Sequence, residues 1–306
     1  MTALRRGWEI VSDATMGWLN DDAMSLGAAI AFYTIFSLAP LAILVIALAG
    51  LVFGDEAARG ALVDQLGALI GQDAAHTVQE LIARAGNRGT SVWASVIGIG
   101  TIVVGSTTVF AELQAALNRV WKAAPPQEST ITWLVKVRLK ALALIGAIGF
   151  LLIVSLVVSA ALAAFGTWAA SYLPALPTLL WVFDVGMSWL VLTALFAMIY
   201  RILPDTWIPW MDVWLGAAVT AFLFAVGKFL IGFYLGTSGV ATVYGAAGSF
   251  VLILMWVYYS AAIFLFGAEL TRAYSERIGS RAHRERAARH GAAAEGPTKG
   301  PTKGMA

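Results

Sequence analysis

Residues 210–270 read WMDVWLGAAVTAFLFAVGKFLIGFYLGTSGVATVYGAAGSFVLILMWVYYSAAIFLFGAEL, and this stretch decides the fold. Two long apolar runs flank a short Gly/Ser/Thr turn, and one lysine, Lys228, sits inside the first run. Runs of this length imply lipid rather than water as the solvent. Backbone groups in lipid must bond within their own segment, so both runs are expected to be helices forming a hairpin.

Outward from the hairpin the composition agrees. The 306-residue chain is 59% hydrophobic and 12% charged, against about 25% charged residues in a soluble domain. It therefore reads as an all-α polytopic membrane protein. With no cysteine in the chain, disulfides, Cys-based zinc sites and thiol catalysis are excluded. His76, His283 and His290 have no metal-ligand neighbour at helical spacing, so neither metal nor cofactor is expected. The first apolar run is too long for the h-region of a signal peptide and is expected to anchor.

Six spans follow: Leu26–Phe53, Val92–Leu117, Leu139–Phe165, Leu179–Leu203, Trp210–Leu235 and Val243–Leu270. They divide the chain into an amphipathic segment (1–25), a six-helix domain (26–272) and a basic, low-complexity tail (273–306). The loop 54–91 carries two short amphipathic patterns and is expected to form a small helical cap. In residues 3–20, Leu4, Trp8, Val11, Thr15 and Trp18 share one stripe. That suits a helix in the headgroup layer or a packed lead-in to the first span. Pro40 should kink the first span around Phe36, with Thr34 and Ser37 placed to satisfy freed carbonyls.

Helix packing leaves its own pattern. Gly98, Gly105 and Glu112 recur at seven-residue spacing, as do Gly248, Met255, Ala262 and Glu269. Small-residue stripes let helices approach closely, and their continuation puts Glu112 and Glu269 against protein rather than lipid. Arg119, Lys140, Arg201 and Arg272 lie at the same end of the spans. Structural ion pairing there is the plain reading, and a polar inner gate the sharper one.

Sixteen of the 20 Lys and Arg residues fall on the side of the two termini, three fall in the 54–91 loop, and Lys228 is the remaining one. This bias places both termini in the cytoplasm and the 54–91 cap outside. Lys228 then lies roughly 10 Å, and Asp184 roughly 8 Å, below the outer ends of two consecutive antiparallel helices. A lone charge at such depth is costly. Asp184 and Lys228 are expected either to share a polar site or to separate, Asp184 reaching the surface and Lys228 snorkelling outward. Glu112, Glu269, Asp184 and Lys228 together would line a polar pathway.

Three segments carry a family resemblance: AAIAFYTIFSLAPLAILVIALAGLVFG (28–54), ALNRVWK (116–122) and FYLGTSGVATVYGAAGSFVLILMWVYYSAAIFLFGAEL (233–270). Together they resemble the YihY / virulence factor BrkB family, historically labelled ribonuclease BN-like. The resemblance implies a six-helix protein of the inner membrane. It supplies no catalytic residues. The ribonuclease label fits poorly, since the chain has no His/Asp metal cluster, no nucleophile–base arrangement and no soluble domain for RNA. The expectation is a non-enzymatic translocator of a lipid or small solute, with a structural or scaffold protein as the alternative. Membrane lipids are the expected partners, nucleic acid is not, and self-association is left open.

Overall fold

The computed structural model describes residues 3–54, 60, 63, 79–80, 92–124, 129–169, 176–237 and 248–282. The 54–91 cap, the turn of the opening hairpin (238–247) and the tail beyond Ala282 lie wholly or largely outside the described residues. Seven long helices account for nearly all of what is described: α1 (Ala3–Asn20), α2 (Ala23–Phe53), α3 (Val92–Val120), α4 (Thr130–Ala169), α5 (Leu176–Ile202), α6 (Trp210–Thr237) and α7 (Gly248–Arg277). Six of them, α2 to α7, are long and apolar enough to cross a membrane. The expected all-α, six-span architecture is the one adopted.

Two ends differ from expectation for local reasons. Helix α4 begins at Thr130, well before Leu139. Ser129 caps it: its hydroxyl accepts from the Thr132 amide at 3.3 Å and lies 2.9 Å from the Thr132 hydroxyl. Lys136, Arg138 and Lys140 are therefore helical. At ~1.5 Å per residue the helix outruns the ~30 Å hydrocarbon core. Helix α7 continues past Leu270 to Arg277 because α1 packs along its last turns.

Helix α1 runs antiparallel to the end of α7. Ile10 and Ala14 pack with Leu270 and Ala273, Trp18 Nε1 donates to the Ala262 carbonyl at 3.2 Å, and Arg277 pairs with Glu9 at 2.6 Å and with Asp13. The stripe read from sequence divides: Trp18 packs inward, while Trp8, Val11 and Thr15 face out. Trp8 and Val11 are exposed, as is Leu19 beside them. The helix thus has two apolar faces, one on α7 and one left for the headgroup layer.

Helix α7 is the hub, packing on α6, α2, α1 and α3, while α2 packs on α3, and α5 joins α6 to α4. Pro40 lies inside α2 and its ring sits on Gly105 of α3, where an added Cβ would come within 2.9 Å of Pro40 Cγ. That is the close approach expected of the Gly98–Gly105 stripe. Gly98 lies in α3 and Gly248 opens α7, but their surroundings are outside the described residues. Thr34 donates to Ile30 at 2.7 Å, its own i−4 carbonyl, and so does not serve the carbonyl that Pro40 leaves free at Phe36.

The largest fully buried side chains gather at one end. Leu117, Val120, Trp121, Leu144, Tyr200, Leu203, Ile208, Val213 and Leu265 are buried, and all lie toward the end that carries α1. In the far halves of α4, α5 and α6, Phe150, Val157, Val182, Phe183, Phe229 and Leu230 are exposed. Burial continues outward at Ala42 and Ile46 of α2 and Ile253 of α7, and α4 touches α5 there through Ser159–Asp184 and Gly166–Leu180.

Candidate functional site

Asp184 and Lys228 are not brought together. Asp184, half-buried on α5, accepts a 2.6 Å hydrogen bond from Ser159 on α4. Lys228 is exposed on α6 beside Phe229, and no ion pair joins it to Asp184 among the described residues. Depth follows from residue count, but direction follows from helix rotation. Here Asp184 turns to α4 and Lys228 turns outward, as a snorkelling lysine does. Glu112 is half-buried on α3, without an ion pair among the described residues.

Glu269 is the buried member of the set, 2% exposed on α7. It lies under α1: an added Cβ at Gly17 would stand 2.5 Å from Glu269 Oε2. Arg272, one turn on, reaches Glu269 Oε2 and Asp21 Oδ2, both at 3.7 Å. The same guanidinium donates to Glu276 Oε1 and to the Val120 carbonyl, each at 2.9 Å. Glu269 Oε1 and Asp21 Oδ2 are buried without a hydrogen-bond partner. Three elements therefore meet at one guanidinium: α1 through Asp21 just past its end, α3 through Val120, and α7 through Glu269 and Glu276. Glu269 is incompletely satisfied, a costly state that structures retain where a group has work to do.

A second clasp closes the same end. Asp205, between α5 and α6, accepts from Gln114 at 2.8 Å and Asn118 at 2.9 Å on α3, and from Lys140 at 2.8 Å on α4. Its own amide donates to Asn118 Oδ1 at 2.8 Å. Partial burial pushes its carboxyl upward, but the hydrogen bonds from Lys140, Asn118 and Gln114 and the Lys140 charge hold it below the ordinary range. A depressed folded pKa means stability that is complete above the unfolded value of about 3.9 and is lost as pH falls through the lower, folded one. Asp205→Ala should cost roughly 1–2 kcal/mol at neutral pH, discounting for partial exposure. Thermal melts of the two proteins should converge as pH drops below about 4; a constant gap across that window would refute the clasp.

Asp212, in the first turn of α6, is 4% exposed. It accepts from Ser275 Oγ at 2.6 Å, from Ser280 Oγ at 2.6 Å and from the Ser280 amide at 3.1 Å, tying α6 to the end of α7. Arg119 pairs with Asp22 at 3.1 Å. The guanidinium of Arg201 stacks on Trp207 at 5.2 Å. Of the groups expected at this end, Glu269 and the basic residues take part. Asp21, Asp205, Asp212 and Gln114 had no signal beyond their place near helix ends.

Known relatives fix what kind of protein has this arrangement. A family model described as virulence factor BrkB matches residues 14–292. The chain belongs to that family. Among curated proteins it is similar to a UPF0761 membrane protein of Alcanivorax borkumensis, 32% identical over 180 residues, which are 58% of this chain and 40% of the relative. A UPF0761 membrane protein of Rhodospirillum centenum is 26% identical over 274 residues, 87% of this chain and 57% of the relative. One of Chromobacterium violaceum is 40% identical over 102 residues, 33% of this chain and 24% of the relative. The chain thus spans at most about 57% of the length of these three. No solved structure matches. Six spans and the family membership together make this BrkB-family chain an integral, multi-pass membrane protein.

Proposed function

We propose that this BrkB-family chain is a non-enzymatic translocator of a lipid or small solute in the inner membrane, with both termini in the cytoplasm. The observation that carries the reading is the polar closure of the terminal end, where the Glu269 and Asp205 clusters tie α1, α3, α4, α7 and the α5–α6 connection together. A bundle fastened by ion pairs at one side can be released there, which is what alternating access asks of a gate. The concentration of Lys and Arg at the sealed end supports its cytoplasmic placement.

Glu269 is the group best placed to bias opening, because α1, α3 and α7 converge on its Arg272 partner. The test is flux in proteoliposomes, followed with an NBD-labelled phospholipid under dithionite and with an entrapped fluorescent solute. The full chain should exceed empty vesicles for one of the two probes. Glu269→Gln should change that rate about tenfold or more, since an unsatisfied buried group is worth ~1–3 kcal/mol to a two-state balance. Vesicles with folded protein that pass neither probe faster than empty ones would leave the scaffold reading, in which both clusters serve only assembly.

A further inference from the structure

Arg138 stands apart from the other cations of the terminal end. It lies about two turns into α4 and reaches across to α3. Its Nη1 donates to Thr107 Oγ1 at 2.6 Å and to the Val104 carbonyl at 3.1 Å, and lies 3.5 Å from Thr108 Oγ1. All three are neutral acceptors. The two threonine hydroxyls give their own protons to Val103, at 2.6 Å, and Val104, at 2.7 Å. They therefore hold the guanidinium as acceptors and add no charge.

Its neighbours are neutralised. Lys140 meets Asp205, Arg119 meets Asp22, and Arg272 meets Glu269, Asp21 and Glu276. Arg138 pairs with no carboxylate among the described residues, and its Nε and Nη2 have no hydrogen-bond partner there. Those two nitrogens form the edge with which arginine grips an oxyanion through two parallel bonds. The guanidinium is clamped at Nη1, its other edge is free, and its charge is uncompensated.

The surroundings define what can reach it. Helices α3 and α4 pack only loosely against each other. The flank of this gap is exposed and apolar, with Val104 on α3 and Leu134, Val135 and Leu139 on α4. Farther from the terminal end, Gly100 on α3 and Gly146 and Gly149 on α4 have open space where a side chain would be. Lys140 is bonded to the α5–α6 connection at the level of Gln114 and Asn118, and the Arg138 guanidinium, beside residues 104–108 of α3, lies roughly 15 Å farther in. The result is a furrow with a cation set inward of the terminal border, between apolar walls. Free phosphate would use the cation and leave the walls unoccupied, whereas a phospholipid uses both.

We propose that the α3–α4 furrow binds an anionic glycerophospholipid from the leaflet on the terminal side. Arg138 holds the phosphate through Nε and Nη2, and the acyl chains lie over Gly146 and Gly149. The site needs no transport activity and stands whether or not the chain translocates anything.

Full-length protein in nanodiscs of equal phosphatidylglycerol and phosphatidylcholine, re-extracted mildly and examined by native mass spectrometry, provides the test. Wild-type protein should retain phosphatidylglycerol over phosphatidylcholine by about fivefold, the factor of one basic residue at a membrane surface. Arg138→Gln should erase that preference. Arg138→Lys, which keeps the charge without the two-nitrogen edge, should retain part of it. Arg6→Gln removes the same charge from exposed α1 and should change nothing. The proposal is overturned by parity of the two lipids on wild-type protein, by full preference in Arg138→Gln, or by equal loss in Arg6→Gln. Displacement of the retained lipid by millimolar inorganic phosphate would overturn the lipid as occupant. If Arg138→Gln does not fold, the wild-type and Arg138→Lys measurements decide.

Discussion

Replacing Gly267 with alanine is expected to push α6 and α7 apart and remove a large share of the protein's stability. The added Cβ would overlap the Thr220 hydroxyl and stand 2.6 Å from Tyr200 Oη and 2.9 Å from Thr220 Cβ. The relation is reciprocal. Gly216 on α6 receives Thr271 of α7, where a Cβ would overlap the hydroxyl and meet the Thr271 Cα at 3.1 Å. These threonines cannot swing away cheaply, because Thr220 donates to the Gly216 carbonyl and Thr271 to the Gly267 carbonyl, each at 2.7 Å. Tyr200 donates to the Phe264 carbonyl at 2.7 Å, and its Oη lies 3.0 Å from Thr220 Oγ1. Overpacking costs ~1–3 kcal/mol where side chains can yield, and here the obstacle is anchored at the backbone. Gly267→Ala and Gly216→Ala should each fall at or above the top of that range in detergent melts. Gly7→Ala, with nothing near its Cβ, should be neutral or slightly stabilising. Combining Gly216→Ala with Thr271→Gly should recover most of the loss; a double variant as unstable as Gly216→Ala alone would disprove the notch.

The same hairpin shows how far a sequence can be read here. Its two apolar runs gave both helices, because length against a ~30 Å hydrocarbon core is a one-dimensional property. Which threonine covers which glycine depends on the rotation and vertical register of two helices, and neither is written in the spacing of one. Asp184 and Lys228 show the same: their matched depths left a shared site and separation both open, and it is helix rotation that turns Asp184 to Ser159 of α4. Glu269 was placed correctly against protein because its stripe continues Gly248, Met255 and Ala262. Arg138 was hidden differently. Starting the third span at Leu139 assigned it to a loop, where a basic residue speaks only of topology. The Ser129 cap, which moves that start to Thr130, lies beyond the apolar run that marked the span. In α1 a single stripe was sought where the helix has two apolar faces, and the small residues Ala14 and Gly17, which mark the packed one, carry little weight in a hydrophobic pattern.

Asp212→Ala should loosen the terminal end of the bundle without disturbing its far half. The carboxylate is buried and takes three hydrogen bonds from α7 and the residues just beyond it, two of them at 2.6 Å. Removing it strands the Ser275 and Ser280 donors and takes an acidic group from the first turn of α6, where it favourably meets the helix dipole. Bonds to a charged acceptor are worth ~1.5–3 kcal/mol each before the packing relaxes, and shared acceptors do not add in full. A loss of roughly 3–4 kcal/mol is therefore expected, near what breaking a buried charged network costs. Gly279 sharpens the test, since a Cβ there would stand 2.6 Å from Asp212 Oδ1; Gly279→Ala should reproduce part of the loss while leaving the carboxylate in place. Hydrogen exchange should rise in residues 274–282 for both variants and stay unchanged in α5. Uniform acceleration across all helices would mean that Asp212 supports the whole bundle and that the clasp is not local. Unchanged exchange at 274–282 would mean that α1, through Arg277 and its Glu9 and Asp13 partners, holds the end of α7 by itself.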